Sequence, residues 1–240
     1  MAADTELIVD ILPQPDDSTC GPTCLHAVYG YHGDPLPLDQ VVREVTPLVA
    51  GGTLGVYLGV HALRRGYAAT IYTYNLDIFD PSWFDEDAAR LPGHLSAQME
   101  VKSSERLRVA TRAYLDFLHL GGRIRFEELR PELIRRHLTY GEPILTGLSA
   151  TYLYGCAREI DRDGRLVSDS VRGEPVGHFV VVHGYDAATD SALVADPLHE
   201  NRFGSHNYRV GVVRLLGAIM LGVLTYDGNL LVVRPREDGT

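Results

Sequence analysis

The chain is short of basic charge, of cysteine and of long apolar runs. Its 22 Lys and Arg side chains stand against 32 Asp and Glu, a formal net charge of −10. That balance lacks the basic footprint of a general nucleic-acid binder, so no nucleic acid is expected as a partner. Three cysteines are an odd number and make no disulfide framework. They read as reduced thiols in a cytoplasmic protein. The longest apolar run, Leu215 to Leu224, is too short to span a bilayer and is bordered by Arg214. Met1 to Asp10 opens on acidic residues and has no basic n-region, so it does not read as a signal peptide. No membrane partner is expected either.

What remains is an ordinary globular composition. With 240 residues, 45% hydrophobic and 22% charged, the chain is long enough to bury a substantial core. No internal repeat or low-complexity linker divides it, so the expectation is one domain over 1–240 with a helical insertion at about 40–140. Leu7 to Leu12 reads as a short strand or extended lead-in. Pro22 to Tyr31 is predicted helical and stopped by His32-Gly33, and Leu38 to Val45 and Val56 to Arg65 are further helices. Gly51-Gly52-Thr53-Leu54-Gly55 is a connector: it lacks the Gly-Lys-Ser/Thr ending of a phosphate loop. Tyr67 to Tyr74 is a strand, Asn75 to Gln98 shows weak periodicity, Arg106 to Leu120 is an amphipathic helix, and Pro131 to Leu138 is another. Arg123 to Phe126 reads as a brief extended piece.

From residue 143 the pattern turns to sheet. Pro143 to Leu148, extended as far as Tyr154, reads as an apolar strand. Asp161-Arg162-Asp163-Gly164 is a turn within a polar stretch. Gly177 to Asp186 and Ser191 to Pro197 form a hairpin, followed by a helix at Val213 to Leu221 and a strand at Leu230 to Val233. Helices first and a mostly antiparallel sheet later define an α+β fold.

The chemistry centres on Cys20. Ser18 and Thr19 are helix-capping residue types, Pro22 suits a first turn, and Cys24, Leu25, Ala27, Val28 and Tyr31 recur at helical spacing. A helix start presents unpaired N–H groups that stabilise a thiolate. A thiol nucleophile needs a base, and His178, His183 and His199 are the candidates. With the hairpin turn near residue 187 or 188, His178 falls opposite or diagonal to Asp196 on one face, while His183 falls on the other. Asp196 would then orient the imidazole and stabilise its charged form. Gln14, six residues before Cys20, carries a neutral amide that can donate to an oxyanion beside the Cys20 N–H. Cys24 should face the core, and Cys156 reads as structural. Cys20, Cys24, His26 and His32 match no standard zinc spacing, so no metal or other cofactor is expected.

Gln14, then five residues, then Cys20-Gly21-Pro22, followed by Gly177-His178-Phe179-Val180-Val181 and Asp196-Pro197, resembles the papain-like cysteine peptidases. It is most similar to the bacterial family that trims double-glycine leaders from bacteriocin precursors and to that family's stand-alone relatives. The likeness covers roughly residues 7–33 and 142–235; the region between is much longer than in leader peptidases. It implies a papain-like fold with Cys20 as nucleophile, His178 as base, Asp196 as orienter and Gln14 in the oxyanion hole. It also implies hydrolysis of a peptide or amide bond through a thioester. Two other functions use the same residues differently: acyl transfer to an amine or thiol, and peptide binding without catalysis. The helical middle and acidic surface would also suit a protein partner of unknown identity.

Overall fold

The computed structural model describes residues 4–49, 51–85, 88–162 and 165–236. The first three residues of the N-terminal stretch and the Asp163-Gly164 end of the expected turn lie outside them.

In chain order the elements are β1 (Thr5–Glu6), α1 (Cys20–Tyr31), α2 (Leu38–Glu44), α3 (Gly55–Arg64), β2 (Tyr67–Thr73), α4 (Leu91–Val101), α5 (Glu105–His119), β3 (Arg123–Arg125) and α6 (Pro131–Thr139). There follow β4 (Ile144–Ser149), α7 (Ala150–Tyr154), β5 (Glu159–Arg162), β6 (Arg165–Ser168), β7 (Gly177–Asp186), β8 (Ser191–Ala195), β9 (Asn207–Gly211), α8 (Val212–Leu221) and β10 (Asn229–Pro235). An eight-stranded sheet runs β3-β2-β10-β4-β7-β8-β9, with β1 on β7. Every pairing is antiparallel except that of β2 with β3. This is the α+β architecture expected, with β5 and β6 forming a separate hairpin.

Strand parity divides the interior into two cores. Phe179, Val181, Ala195, Leu145 and Leu231 face one side, where α1, α3 and α5 bury Leu25, Leu58 and Phe117. Val180, Val182, Val194, Ile144 and Leu230 face the other, under Ile134 of α6, Leu153 of α7 and Ile219 of α8. β7 is buried on both faces along nearly its whole length, so it reads as the continuous apolar run seen in the sequence.

Four readings are corrected. The apolar stretch after β4 is not strand to Tyr154: Ser149 Oγ accepts from Tyr152 N at 3.3 Å and starts α7, which Gly155 ends at φ 62°. The weakly periodic stretch from Asn75 contains α4, which buries only Leu91 and Leu95. The polar stretch from Arg158 carries the β5–β6 hairpin. Of the two readings of Leu7 to Leu12 the strand is excluded and the lead-in remains; the pairing lies just before it, in β1.

Candidate active site

Cys20 opens α1 and is 8% exposed. The loop before it is ordered by Asp16 rather than by a helix cap. The Asp16 carboxylate accepts from Ser18 N at 2.8 Å and Ser18 Oγ at 2.7 Å, and its carbonyl accepts from Thr19 Oγ1 at 3.1 Å and Gln14 Nε2 at 2.8 Å. Burial tends to raise the Asp16 carboxyl, but the Ser18 bonds, with Thr19 nearby, outweigh it and hold it below its ordinary value. Thr19, at the cap position, makes no side-chain bond into the helix, which corrects the capping expectation. The first helical bond runs from Thr23 N to Thr19 O, and Pro22 has no N–H. Among the described residues the Cys20 and Gly21 N–H groups therefore make no hydrogen bond and stand at the positive end of the helix.

His178 and Asp196 come from the second core's side of the sheet. A bulge between Val182 and Gly184 shifts the β7–β8 register by one residue, so that Val182 pairs with Val194. His178 therefore lies diagonal to Asp196 on one face, as the hairpin arithmetic required. His178 Nε2 donates to Asp196 Oδ1 at 2.8 Å, which leaves Nδ1 free of the carboxylate, and the Cys20 side chain is near enough to act on the ring. Cys20 packs with the first core, while His178 and Asp196 share the sheet face of Val180, Val182 and Val194, and the Cys20 side chain reaches the His178 ring where β7 begins. Burial alone would lower the His178 pKa. The Asp196 carboxylate and the Cys20 sulfur prevail and raise it to about 10.

The Asp196 carboxylate is fully buried. Its Oδ1 also accepts from Leu198 N at 2.9 Å, and its Oδ2 accepts from Tyr154 OH and Tyr208 OH, each at 2.7 Å. Burial pushes this carboxyl upward, but the His178 bond, its charge and the Tyr154 and Leu198 donors win and hold it below its ordinary value. Burial beside Asp196 drives the Tyr154 and Tyr208 pKa values upward, so both remain neutral donors. Backbone bonds fix the loop: Asp196 N donates to His206 O at 2.8 Å, and Gln14 N donates to Pro197 O at 2.9 Å. The last of these ties the Gln14 loop to the Asp196 loop.

The remaining sequence candidates fall as follows. Gln14 Nε2 serves Asp16, and its buried Oε1 has no partner. His183 sits at the β7 bulge with Nδ1 on Leu7 O at 2.9 Å. His199 is exposed and its ring lies 5.7 Å from that of His206. Cys24 is wholly buried and donates to Phe179 O at 3.2 Å. Burial, together with Cys20 and Asp196, raises its thiol well above the ordinary value. Cys156, expected as structural, is exposed. Among the described residues no group of three or more His, Cys, Asp or Glu is placed to hold a metal ion, and no helix is long and apolar enough to cross a membrane.

Sequence reading missed Tyr154, Tyr208, Asp16 and Asp227. Tyr208 was within reach, since Val194 pairs with Tyr208 on β9 and strand parity then puts that side chain on the face of Asp196. Asp227 is 6% exposed, accepts from Gly55 N at 3.0 Å and lies against Gly147, where an added Cβ would meet it at 2.6 Å. Nothing local in the sequence marks it.

A thiol at a helix start, against an imidazole–carboxylate pair on an antiparallel sheet, is the arrangement of the papain-like cysteine peptidases. The sequence profile of the Peptidase_C39-like family matches residues 6–211, and the chain belongs to that family; it is a cysteine peptidase-like hydrolase. One solved structure agrees in fold, and others are similar at lower scores. One from Bacillus anthracis, described as a C39-like peptidase, has a TM-score of 0.50 at 14% identity, covering 98% of this chain and 100% of its own. The double glycine motif protease of an AMS/PCAT transporter, solved with its leader peptide, has a TM-score of 0.46 at 13% identity, covering 98% and 99%. Xylellain, a cysteine protease from Xylella fastidiosa, has 0.43 at 14%, covering 98% and 86%. No curated protein sequence matches the chain.

Proposed function

We propose that the chain cleaves a peptide or amide bond through a thioester on Cys20, with His178 as base and acid, Asp196 as orienter and Gln14 as oxyanion donor. The Cys20 sulfur attacks the scissile carbonyl, and the oxyanion that forms lies toward the free N–H groups of Cys20 and Gly21. Breakdown expels the amine, which takes its proton from His178. His178 then removes a proton from water, the hydroxide attacks the thioester, and the acid departs as sulfur is regenerated. Asp196 holds His178 with Nδ1 toward sulfur and favours its charged form throughout. The observation that carries this reading is the buried His178–Asp196 pair, closed by Tyr154 and Tyr208, with the Cys20 side chain near enough to raise the same imidazole.

Brief alkylation with iodoacetamide at neutral pH tests it. Access alone favours the exposed Cys156 over the nearly buried Cys20. An activated Cys20 should nevertheless label first, and His178→Ala should slow it by at least about tenfold. Labelling of Cys156 ahead of Cys20 in the folded protein would sink the reading. Cleavage of a peptide library, lost in Cys20→Ala, then gives the bond cut. Added amines that divert product would assign acyl transfer instead of hydrolysis.

A further inference from the structure

In a chain with ten more acidic than basic side chains, one end of the sheet gathers arginine. Arg123 and Arg125 stand two residues apart on the outermost strand, β3, and so share a face. Register sets Arg123 beside Thr70 and Arg125 beside Tyr72 of β2, and Arg234 of β10 beside Ala68. A cavity of about 300 Å³ is lined by Arg123, Arg125, Arg136 and Arg234 with only Glu127 and Glu142 to balance them. A neighbouring cavity of about 530 Å³ is lined by Arg123, Arg234, Arg236 and His119 and by no acidic side chain. The two share Thr70, Arg123 and Arg234.

The acids present are already committed. Glu127 holds Arg136 at 2.8 Å, while Glu142 holds His137 Nδ1 at 2.6 Å and lies 3.6 Å from Arg234. The Arg123 and Arg125 side chains have no hydrogen bond or ion pair among the described residues. Buried His137, in the wall of the first cavity, leaves its Nε2 without a partner. Four guanidinium groups against two occupied carboxylates leave a local excess of positive charge. Guanidinium forks match the paired oxygens of phosphate. The net charge of the whole chain repels an extended polyanion, which favours a compact one.

This trough is separate from the proposed catalytic centre. β4 runs from Ile144, paired with Val232, to Leu148, paired with His178, so the arginines lie toward the opposite end of the strands.

We propose that the trough binds a compact, multiply charged oxyanion, the di- or triphosphate group of a small molecule, held by Arg123, Arg125 and Arg234 with the Thr70 hydroxyl. The test is calorimetric titration of the whole chain with inorganic triphosphate, which needs no peptidase activity. Binding with a Kd below about 1 mM at low salt is expected. The double variant R123Q/R125Q should weaken it at least about tenfold, and R123K/R125K, which keeps charge but loses the fork, should fall between. R43Q, at an exposed pair on α2, should bind as wild type does. No binding at millimolar triphosphate would overturn the proposal, as would equal binding by R123Q/R125Q or equal weakening by R43Q. Tighter binding of pentaglutamate than of triphosphate would also overturn it, assigning the trough to acidic peptide. An unchanged melting midpoint and unchanged Cys20 alkylation show that the variants are folded.

Discussion

Asp196 shows what it takes to keep a charge in a dry site. Four donors converge on its two oxygens, and two of them, Tyr154 and Tyr208, are themselves too buried to ionise. A hydrogen bond to a charged acceptor contributes about 1.5–3 kcal/mol net, so each hydroxyl is a measurable fraction of what fixes the carboxylate. Tyr154→Phe should therefore lower stability by about 1–3 kcal/mol. With fewer donors the carboxyl is less depressed, so the acid limb of the pH–rate profile should move to higher pH. Tyr208→Phe should act alike and the double variant more strongly. A limb that does not move would reduce both tyrosines to packing. Gln14 sits differently, its amide already donating to Asp16. If the second N–H reaches the oxyanion, Gln14→Ala should lower kcat by about 10²–10³ with KM little changed, because that contact strengthens only in the transition state. Full kcat in the variant would leave Gln14 as a brace for the loop.

At the scale of elements the start of β7 is the tight point. A Cβ on Gly177 would meet Thr225 Oγ1 at 2.6 Å and Thr225 Cβ at 3.0 Å. Thr225 ends a short 3₁₀ turn, Gly222–Thr225, and Tyr226 follows in a left-handed conformation at φ 70°. The turn has little freedom to yield, so Gly177→Ala should displace His178 and cost about 1–3 kcal/mol in overpacking. The check is a lower melting midpoint together with slower Cys20 alkylation; neither change would mean that the turn gives way freely. The same elements explain what was legible beforehand. β7 came out with its bounds because Phe179-Val180-Val181-Val182 and Tyr185 concentrate β-formers between clear turns, and α5 because its apolar stripe is regular. His178 and Asp196 share a face because the bulge shifts the register by one residue, from Gly184 opposite Leu193 to Val182 opposite Val194, and so restores the parity that the hairpin arithmetic assumed. β9 was missed because it is an edge strand, largely exposed, with Arg209 in its middle. α7 was missed because an apolar run does not announce that Ser149 will cap it. Asp227 acts on a backbone N–H brought near only by folding, which residue types cannot show, whereas Asp16 bonds to neighbours two and three residues away in a local turn that was legible and passed over.

For the whole molecule, two buried groups set how stability responds to pH. Burial lifts the Asp227 carboxyl to about 7, even though the Gly55 N–H bond and the Arg106 charge pull it down. Below an ordinary carboxylate pKa both folded and unfolded chains hold this proton, and Asp227 makes no difference. As pH rises from about 4 to about 7 the unfolded chain releases it and the folded chain does not, so stability falls across that window, by up to ~4 kcal/mol if the shift is fully expressed. His178 acts higher up. Its contribution is complete below about 6.5 and is lost as pH climbs through about 10. The carboxylates held low, Asp196 among them, work the other way and weaken the fold in acid. The melting midpoint should therefore peak in mildly acidic solution and decline toward alkaline pH. Asp227→Asn isolates one part of this curve. The amide oxygen can still accept from Gly55 N, and no charge has to form in the interior. At 240 residues each kcal/mol moves the midpoint by about 2–4 °C, so the variant should melt several degrees higher than wild type near pH 8. Near pH 4 the two should melt together. Scanning fluorimetry across pH 4–9 separates the outcomes: a constant offset at all pH values would mean altered packing, and a variant that is less stable at pH 8 would mean that Asp227 is ionised and held by an unrecognised partner.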